Sequence, residues 1–101
     1  MEFVNCTPHE IVLNNDESFP PSGTIARVTA KFTNFDSNGI CDQKFGQVEG
    51  LPTSQDGVTV IVSSMVLTAS GRKDLVAPAT GHPDCVREAG RIKSVPGFVR
   101  G

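Results

Sequence analysis

The run VTVIV at residues 58–62 constrains the fold more than any other part of the chain. All five of its residues are β-branched, and an unbroken run of such residues is typical of a strand that is buried on both faces. A second short apolar segment follows at residues 75–77, and the intervening length is close to the ~10–12 residues that a crossover between parallel strands needs. The pattern predicts a central strand and permits a compact βαβ unit over residues 58–77.

The segment between these two strands carries the signals of a short helix. Ser63 and Ser64 are of the residue type that caps helix N-termini. Gly71 suits the left-handed backbone conformation that commonly ends a helix. We therefore expect a helix at residues 65–70.

Turn residues divide the rest of the chain into further short strands. The chain has 10 glycines and 7 prolines among its 101 residues, which favours strands and turns over long helices. Residues 24–32 and 45–48 predict the two strands of a hairpin around an exposed loop at 34–42, with a bulge near Arg27. We predict an α+β fold that is mainly β, a small single domain over residues 1–101 with about six short strands and one short helix.

Composition excludes several classes of protein. The formal charge of -2 comes from 9 basic and 11 acidic residues without long runs, which is not the pattern of a nucleic-acid binder. The longest apolar run is far shorter than the ~20 residues that span a membrane, and the N-terminal residues do not form a signal or transit segment. Three cysteines without regular spacing favour reduced thiols over a disulfide framework. We expect a cytoplasmic protein that binds neither nucleic acid nor membranes.

The serines after the central strand form one candidate binding site. Ser63 and Ser64 lie where a strand ends and a helix begins, a place where hydroxyl and backbone N–H groups can hold an anion such as phosphate. Arg72 follows the helix and offers a guanidinium fork to the same ligand. The alternative is an ordinary serine cap with a solvated arginine. Both interpretations remain open at the level of sequence.

The other charged residues have a similar ambiguity. Asp74 follows Arg72 closely, and Arg87 precedes Glu88, so each arginine has a carboxylate with which it could form an exposed pair worth ~0–1 kcal/mol. Arg27 lies inside an alternating strand pattern. If its side chain points inward, it needs a carboxylate or a ligand, because an unpaired buried charge is costly.

Metal and catalytic sites are weaker candidates. Cys6-x-x-His9 and His82-x-x-Cys85 form a mirrored pair with acceptable spacing for a Cys₂His₂ zinc site, but nothing in the sequence places the two halves together. A serine, a histidine and an aspartate suggest a hydrolase triad, yet the chain has no Gly-x-Ser-x-Gly elbow. We predict a protein that is not an enzyme and that has no metal, no cofactor and no catalytic residue.

The segment Asn5-Cys6-Thr7-Pro8-His9 near the start of the chain resembles the opening of a family of small, mostly uncharacterised proteins of tailed phages and prophages. The family opens with an Asn-x-Thr-Pro-His motif, with leucine where this chain has Cys6. The resemblance covers nearly the whole chain, through the segments Asn5-Cys6-Thr7-Pro8-His9, Pro21-Ser22-Gly23, Ala26-Arg27-Val28, Phe45-Gly46-Gln47-Val48, Gly50-Leu51-Pro52, Ile61-Val62-Ser63, Arg72-Lys73-Asp74-Leu75-Val76-Ala77-Pro78, Thr80-Gly81 and Val86-Arg87.

The resemblance implies a setting rather than an activity. Small phage accessory proteins without a catalytic motif often inhibit host defence, and some bind and sequester a nucleotide immune signal. This analogy leads us to expect a non-enzymatic phage protein in the cytoplasm of an infected or lysogenic bacterium that sequesters a small anionic ligand, such as a cyclic nucleotide-type signal, as a homo-oligomer. The alternatives are a protein-binding inhibitor of a host enzyme, a virion-assembly protein or a small hydrolase. The expected ligand contacts are polar residues suited to phosphates, ribose and base edges: Asn5, Thr7, His9, Arg27, Ser63, Ser64, Arg72, Asp74 and Arg87.

Overall fold

A computed structural model describes residues 2–100 of the chain, which form short strands and one helix. In chain order the elements are β1 (Glu2–Asn5), β2 (Ile11–Val12), β3 (Ser18–Phe19), β4 (Arg27–Phe32), β5 (Gln43–Glu49), β6 (Val58–Ile61), α1 (Ser64–Ser70), β7 (Leu75–Pro78), β8 (Val86–Glu88), β9 (Arg91–Ser94) and β10 (Phe98–Arg100).

The main sheet has four strands in the order β1-β6-β7-β10. β6 pairs in parallel with β1 on one side and with β7 on the other, and β10 closes the far side as an antiparallel partner of β7. The predicted central strand and the βαβ unit are both confirmed. The β-branched run is central because it has side chains to bury on both faces: Val60, Ile61 and Val62 are almost completely buried.

The helix extends over Ser64–Ser70, so it begins one residue before the predicted range of 65–70 and ends at the predicted residue. Ser63 is the N-cap, and its hydroxyl accepts a hydrogen bond from the backbone N–H of Val66 at 3.3 Å. Gly71 ends the helix in the left-handed conformation, with φ of 71°. The helix buries Val66 and Leu67, so it covers one face of the sheet.

Three two-stranded hairpins surround the main sheet: β2–β3, β4–β5 and β8–β9. The β4–β5 hairpin has the predicted exposed loop, and its register shifts between Val28 and Ala30, next to the position where a bulge is expected. In the β8–β9 hairpin, Ala89 and Gly90 both have positive φ, as a tight two-residue turn requires.

The two faces of the main sheet bury separate apolar clusters, because alternate residues of a strand point to opposite faces. On one side, Val60 of β6 and Val62, which follows β6, pack with α1 and with residues of the β4–β5 hairpin and its flanks. On the other side, Ile61 packs with the β2 and β3 segments and with Val95. The second cluster is bounded by the rings of Phe3, Phe19 and Phe98, whose centroids lie 5.2–5.5 Å apart.

The predicted fold class, a mainly β α+β fold with one short helix, is confirmed. The structure has ten strands within residues 2–100 rather than about six, because segments as short as two residues pair with neighbours. The radius of gyration is 15.4 Å, whereas a compact chain of this length has a value of ~13 Å, so the molecule is elongated. Among residues 2–100, no helix is long and apolar enough to cross a membrane.

Candidate functional site

The Asn-x-Thr-Pro-His segment begins at the end of β1 and is organised by the buried side chain of Asn5. Its Nδ2 donates to the carbonyl oxygens of His9 at 2.9 Å and Phe19 at 2.8 Å. Its Oδ1 accepts from the backbone N–H of Thr7 at 3.0 Å and from the Thr7 hydroxyl at 2.7 Å. These four bonds use the hydrogen-bonding capacity of the Asn5 amide within the protein. Asn5 and Thr7 therefore shape the loop that carries His9.

A pocket of about 500 Å³ lies beside this loop. It is formed at the carboxyl ends of the parallel strands β1, β6 and β7, with β9 as its outer wall. We call it the Thr-Pro-His pocket and define it by its lining residues: Thr7, Pro8, His9, Glu10, Ile11, Val12, Ser63, Ser64, Pro78, Thr80, Ile92, Lys93, Ser94 and Val95.

The exposed surface of the Thr-Pro-His pocket is mainly apolar, although eight of its fourteen lining residues are polar or charged. His9, Glu10 and Lys93 are the titratable residues in it. The Lys93 ammonium lies 3.5 Å from a carboxylate oxygen of Glu88, and both side chains are largely exposed, so this pair leaves the ammonium accessible. The Ser63 hydroxyl is occupied as the helix cap. Such a site can enclose an apolar or planar group and contact one or two charged or polar substituents.

The Thr-Pro-His pocket brings four of the predicted site residues together: Thr7 and His9 on one wall, Ser63 and Ser64 on another. A parallel β1–β6 pair explains this proximity, because both strands end at the same edge of the sheet. Asn5 lies behind the first wall as its support. The expected contacts of these four residues with a ligand stay a prediction.

The three arginines among the predicted ligand contacts do not line this pocket. Arg72 and Asp74 lie just before β7, at the end of the strands opposite the pocket. With residues 54–58 they border a second, open depression. Arg27 is exposed at the start of β4, opposite Glu49 of β5. Arg87 is exposed and donates from Nη2 to the carbonyl oxygen of Thr80 at 3.0 Å. It therefore contacts a lining residue of the pocket without lining the pocket itself. The assignment of these residues as ligand contacts stays a prediction.

Arg72 and Asp74 form an ion pair that has two hydrogen bonds between the guanidinium and the carboxylate. Arg72 Nε donates to Asp74 Oδ1 at 2.9 Å and Nη2 to Oδ2 at 2.5 Å, while Nη1 donates to the carbonyl oxygen of Pro52 at 3.0 Å. The hydrogen bonds from the guanidinium lower the pKa of Asp74 and, reciprocally, raise the pKa of Arg72. The bidentate geometry and the additional carbonyl partner fix the segment that connects α1 to β7.

Replacing Asp74 with asparagine is expected to lower the free energy of unfolding at pH 7 by about 1–2 kcal/mol, because Arg72 loses a charged partner at a half-buried site. A carboxyl whose pKa is lowered by folding stabilises the protein above its unfolded pKa, and this contribution is lost as the pH falls through the folded pKa. The difference in the free energy of unfolding between wild type and D74N should therefore narrow as the pH falls below 3.8, the ordinary pKa of an aspartate. Urea unfolding at several pH values measures it.

Glu88→Gln is the matched control, because it neutralises a carboxylate of the exposed Lys93 pair. We expect it to change stability by less than about 0.5 kcal/mol at any pH. Equal effects of the two substitutions would contradict a structural role for the Arg72–Asp74 pair.

The pocket also includes residues that were not selected from the sequence, mainly Thr80, Ile92, Lys93 and Ser94. They reach the site because β9 lies beside β2: Leu13 bridges to Val95, and Asn14 Oδ1 accepts from the Ser94 hydroxyl at 2.6 Å. These contacts join segments about 80 residues apart, and no local pattern indicates them.

The residues weighed for zinc do not assemble into a metal site. Within residues 2–100, no group of three or more His, Cys, Asp or Glu side chains is placed to hold a metal ion. Cys6 is buried in the apolar cluster beside α1, and all three cysteines are free thiols. His82 Nδ1 accepts from the backbone N–H of Asp84 at 3.0 Å, and Cys85 donates its N–H to the His82 carbonyl oxygen at 3.0 Å. The His82-x-x-Cys85 segment is therefore a turn.

Comparisons with known proteins identify no relative of this chain. No protein-family model matches the chain, and neither the curated proteins nor the solved structures include a match. The proposed function therefore depends on the geometry of the site and on the resemblance of the sequence motifs.

Proposed function

We propose that this protein is a non-enzymatic phage accessory protein that binds and sequesters a small anionic ligand of nucleotide type in the Thr-Pro-His pocket, in the cytoplasm of its bacterial host. The observation that carries the proposal is the pocket itself. Its volume of about 500 Å³ falls within the ~300–1,000 Å³ of small-molecule sites. It lies outside the carboxyl ends of parallel strands, where open α/β sheets place their ligands.

The chemistry of the lining supports a ligand with an apolar planar part and a charged part. Ile92, Val12 and the two prolines offer surfaces on which a base can pack. The Lys93 ammonium can attract a phosphate as a point charge, and the Glu10 carboxylate can accept from ribose hydroxyls or base amino groups. The family resemblance supports the biological setting, in which a sequestered immune signal is kept from its effector.

Ligand retention after denaturation separates a sequestering protein from the alternatives. The protein is incubated with cyclic mono- and dinucleotides, desalted, heat-denatured, and the released material is chromatographed. We expect one nucleotide to be returned intact. A hydrolase would return a product, and a protein-binding inhibitor would return nothing. At about 1 mM ligand, even a site with Kd near 10 μM adds about 2.7 kcal/mol to stability, so the absence of any rise in Tm across the panel would refute the proposal.

Reversing the charge in the pocket should weaken binding specifically. Lys93→Glu places a carboxylate where the proposed phosphate lies, and we expect Kd for the retained nucleotide to rise at least about ten-fold, equivalent to ~1.4 kcal/mol. Lys31→Glu is the matched control, because it makes the same charge change on exposed β4, away from the pocket. Titration calorimetry measures both. Equal weakening by both substitutions would indicate a long-range charge effect and would contradict the assigned site.

A further inference from the structure

Within residues 2–100, the β4–β5 hairpin exposes an apolar surface that no other element covers. We call this surface the hairpin patch and define it by Phe32, Phe35, Ile40 and Phe45, whose exposed fractions are 65%, 72%, 63% and 40%. The other three phenylalanines of the chain pack against one another beside the second apolar cluster of the main sheet. Half of the six phenylalanines are therefore placed in solvent on a single hairpin, where they do not contribute to the core.

The patch consists of two pairs of side chains. The register pairs Ala30 with Phe45 and Phe32 with Gln43, and residues directly opposite in a sheet share a face. Phe32 and Phe45 are therefore diagonal neighbours on one face of the stem. At the tip, the backbone N–H of Asp36 donates to the carbonyl oxygen of Ile40 at 2.8 Å, so Phe35 and Ile40 flank the turn.

The apolar area of the patch is close to what one side of a dimer interface needs. A phenylalanine has ~150–250 Å² to bury, and at the exposures given above the four side chains offer about 400 Å². A standard interface buries ~800 Å² per partner, of which ~56–65% is apolar, or about 450–520 Å². The largest apolar patch on a typical monomer is ~300–600 Å² and is often functional, so a patch of about 400 Å² is large enough to take part in an interaction.

The charge of the hairpin favours a second copy of the chain over a strongly charged partner. Residues 27–49 contain three basic side chains and three acidic ones, Arg27, Lys31, Lys44, Asp36, Asp42 and Glu49. Two such hairpins meet without net repulsion, and a surface with no net charge promotes self-association. The hairpin has no net charge of opposite sign that would attract a strongly charged partner.

We propose that the hairpin patch is a homodimer interface in which the tip pair of one copy packs on the stem pair of the other around a two-fold axis. This arrangement is self-complementary, because one patch supplies both halves of each contact. It goes beyond the proposed function, since the hairpin patch and the Thr-Pro-His pocket share no residue.

Sedimentation equilibrium of the full chain tests the interface. We expect wild type to have twice the mass of one chain at about 100 μM and to dissociate on dilution to a degree set by its Kd. The double variant Phe32→Ser, Phe35→Ser should dimerise at least ten-fold more weakly with an unchanged circular dichroism spectrum, because both side chains are exposed. Met65→Ser is the matched control, since Met65 is 46% exposed on α1, outside the patch, and it should remain dimeric.

A fluorescence reporter provides an independent measurement. The chain contains no tryptophan, so Phe35→Trp introduces a single one at the tip, whose emission should shift to the red as the dimer is diluted and the ring enters water. A wild type that stays monomeric at about 100 μM, including one whose hairpin instead binds another protein, would overturn the proposal. A dimer that the double serine variant leaves intact would also overturn it.

Discussion

Replacing Asn5 with alanine is expected to lower the free energy of unfolding by about 3–5 kcal/mol, since a buried group left without its partner costs about 1–3 kcal/mol and several are affected. The substitution removes the partner of the Phe19 carbonyl oxygen and of the Thr7 N–H, whereas the Thr7 hydroxyl can still donate to the His9 carbonyl oxygen at 3.0 Å. Because native proteins are stable by only about 5–15 kcal/mol, N5A should lose a large fraction of its stability. Urea unfolding followed by circular dichroism measures the loss.

Asn14→Ala is the matched control for this effect. Asn14 also hydrogen-bonds through both atoms of its amide, to the Asp84 carbonyl oxygen and to the Ser94 hydroxyl, but these groups are exposed and water can replace the lost partner. We expect it to cost less than about 1 kcal/mol. If the two alanine variants lost similar amounts of stability, burial of the Asn5 network would not be the cause. A well-folded N5A that merely failed to retain ligand would instead make Asn5 a ligand contact, as the sequence suggests.

Gly50→Ala is the second substitution with a large expected effect. Gly50 has φ of +84°, and a Cβ atom there would lie 2.3 Å from the carbonyl oxygen of Ile25. A side chain in the left-handed region costs about 1–2 kcal/mol on its own, and the backbone contact cannot be relieved by rotating a flexible side chain. The residue next to Ile25 is Ala26, which is buried in the cluster beside α1. We therefore expect a total loss of about 3–4 kcal/mol, because the shift must disturb a packed core.

The matched control for Gly50 is Gly57. Its φ is +76°, but a Cβ atom at this position would meet nothing within 4 Å. Gly57→Ala should therefore show only the conformational cost, about 1–2 kcal/mol. The difference between the two variants in thermal unfolding isolates the close approach to Ile25. Equal losses would mean that the chain around Gly50 moves away without cost.

The elements that could be predicted from the sequence are those whose causes are local. The β-branched run predicts β6, and a serine and a glycine mark the ends of α1. Local patterns do not set which strands pair. The alignment of β1 with β6, and of β9 with β2, depends on side chains from distant segments sharing one core, and strands as short as two residues carry too little pattern to detect.

The candidate site was partly predictable for the same reason. Because β1 and β6 are parallel, the residues that follow them lie at the same end of the sheet. Thr7, His9 and Ser63 therefore come together once the pairing is known. The role of Asn5 could not be separated from ligand binding, because its partners include the carbonyl oxygens of His9 and of Phe19, a residue 14 positions away. Arg72 pairs with the residue two positions after it, an arrangement that the sequence leaves open.

The parallel pairing of β1 with β6 has a consequence for how the binding site forms. Residue 2 is aligned with residue 58, so a long stretch of chain must close before the first strand has any neighbour in the main sheet, and such non-local pairing is slow and highly cooperative. The loop that carries His9 and the turn that carries Ser63 acquire their relative positions in that same step. A partly folded chain in which β1 has not paired with β6 thus cannot bring the two halves of the pocket together, and retention of ligand is a direct assay for completion of the fold.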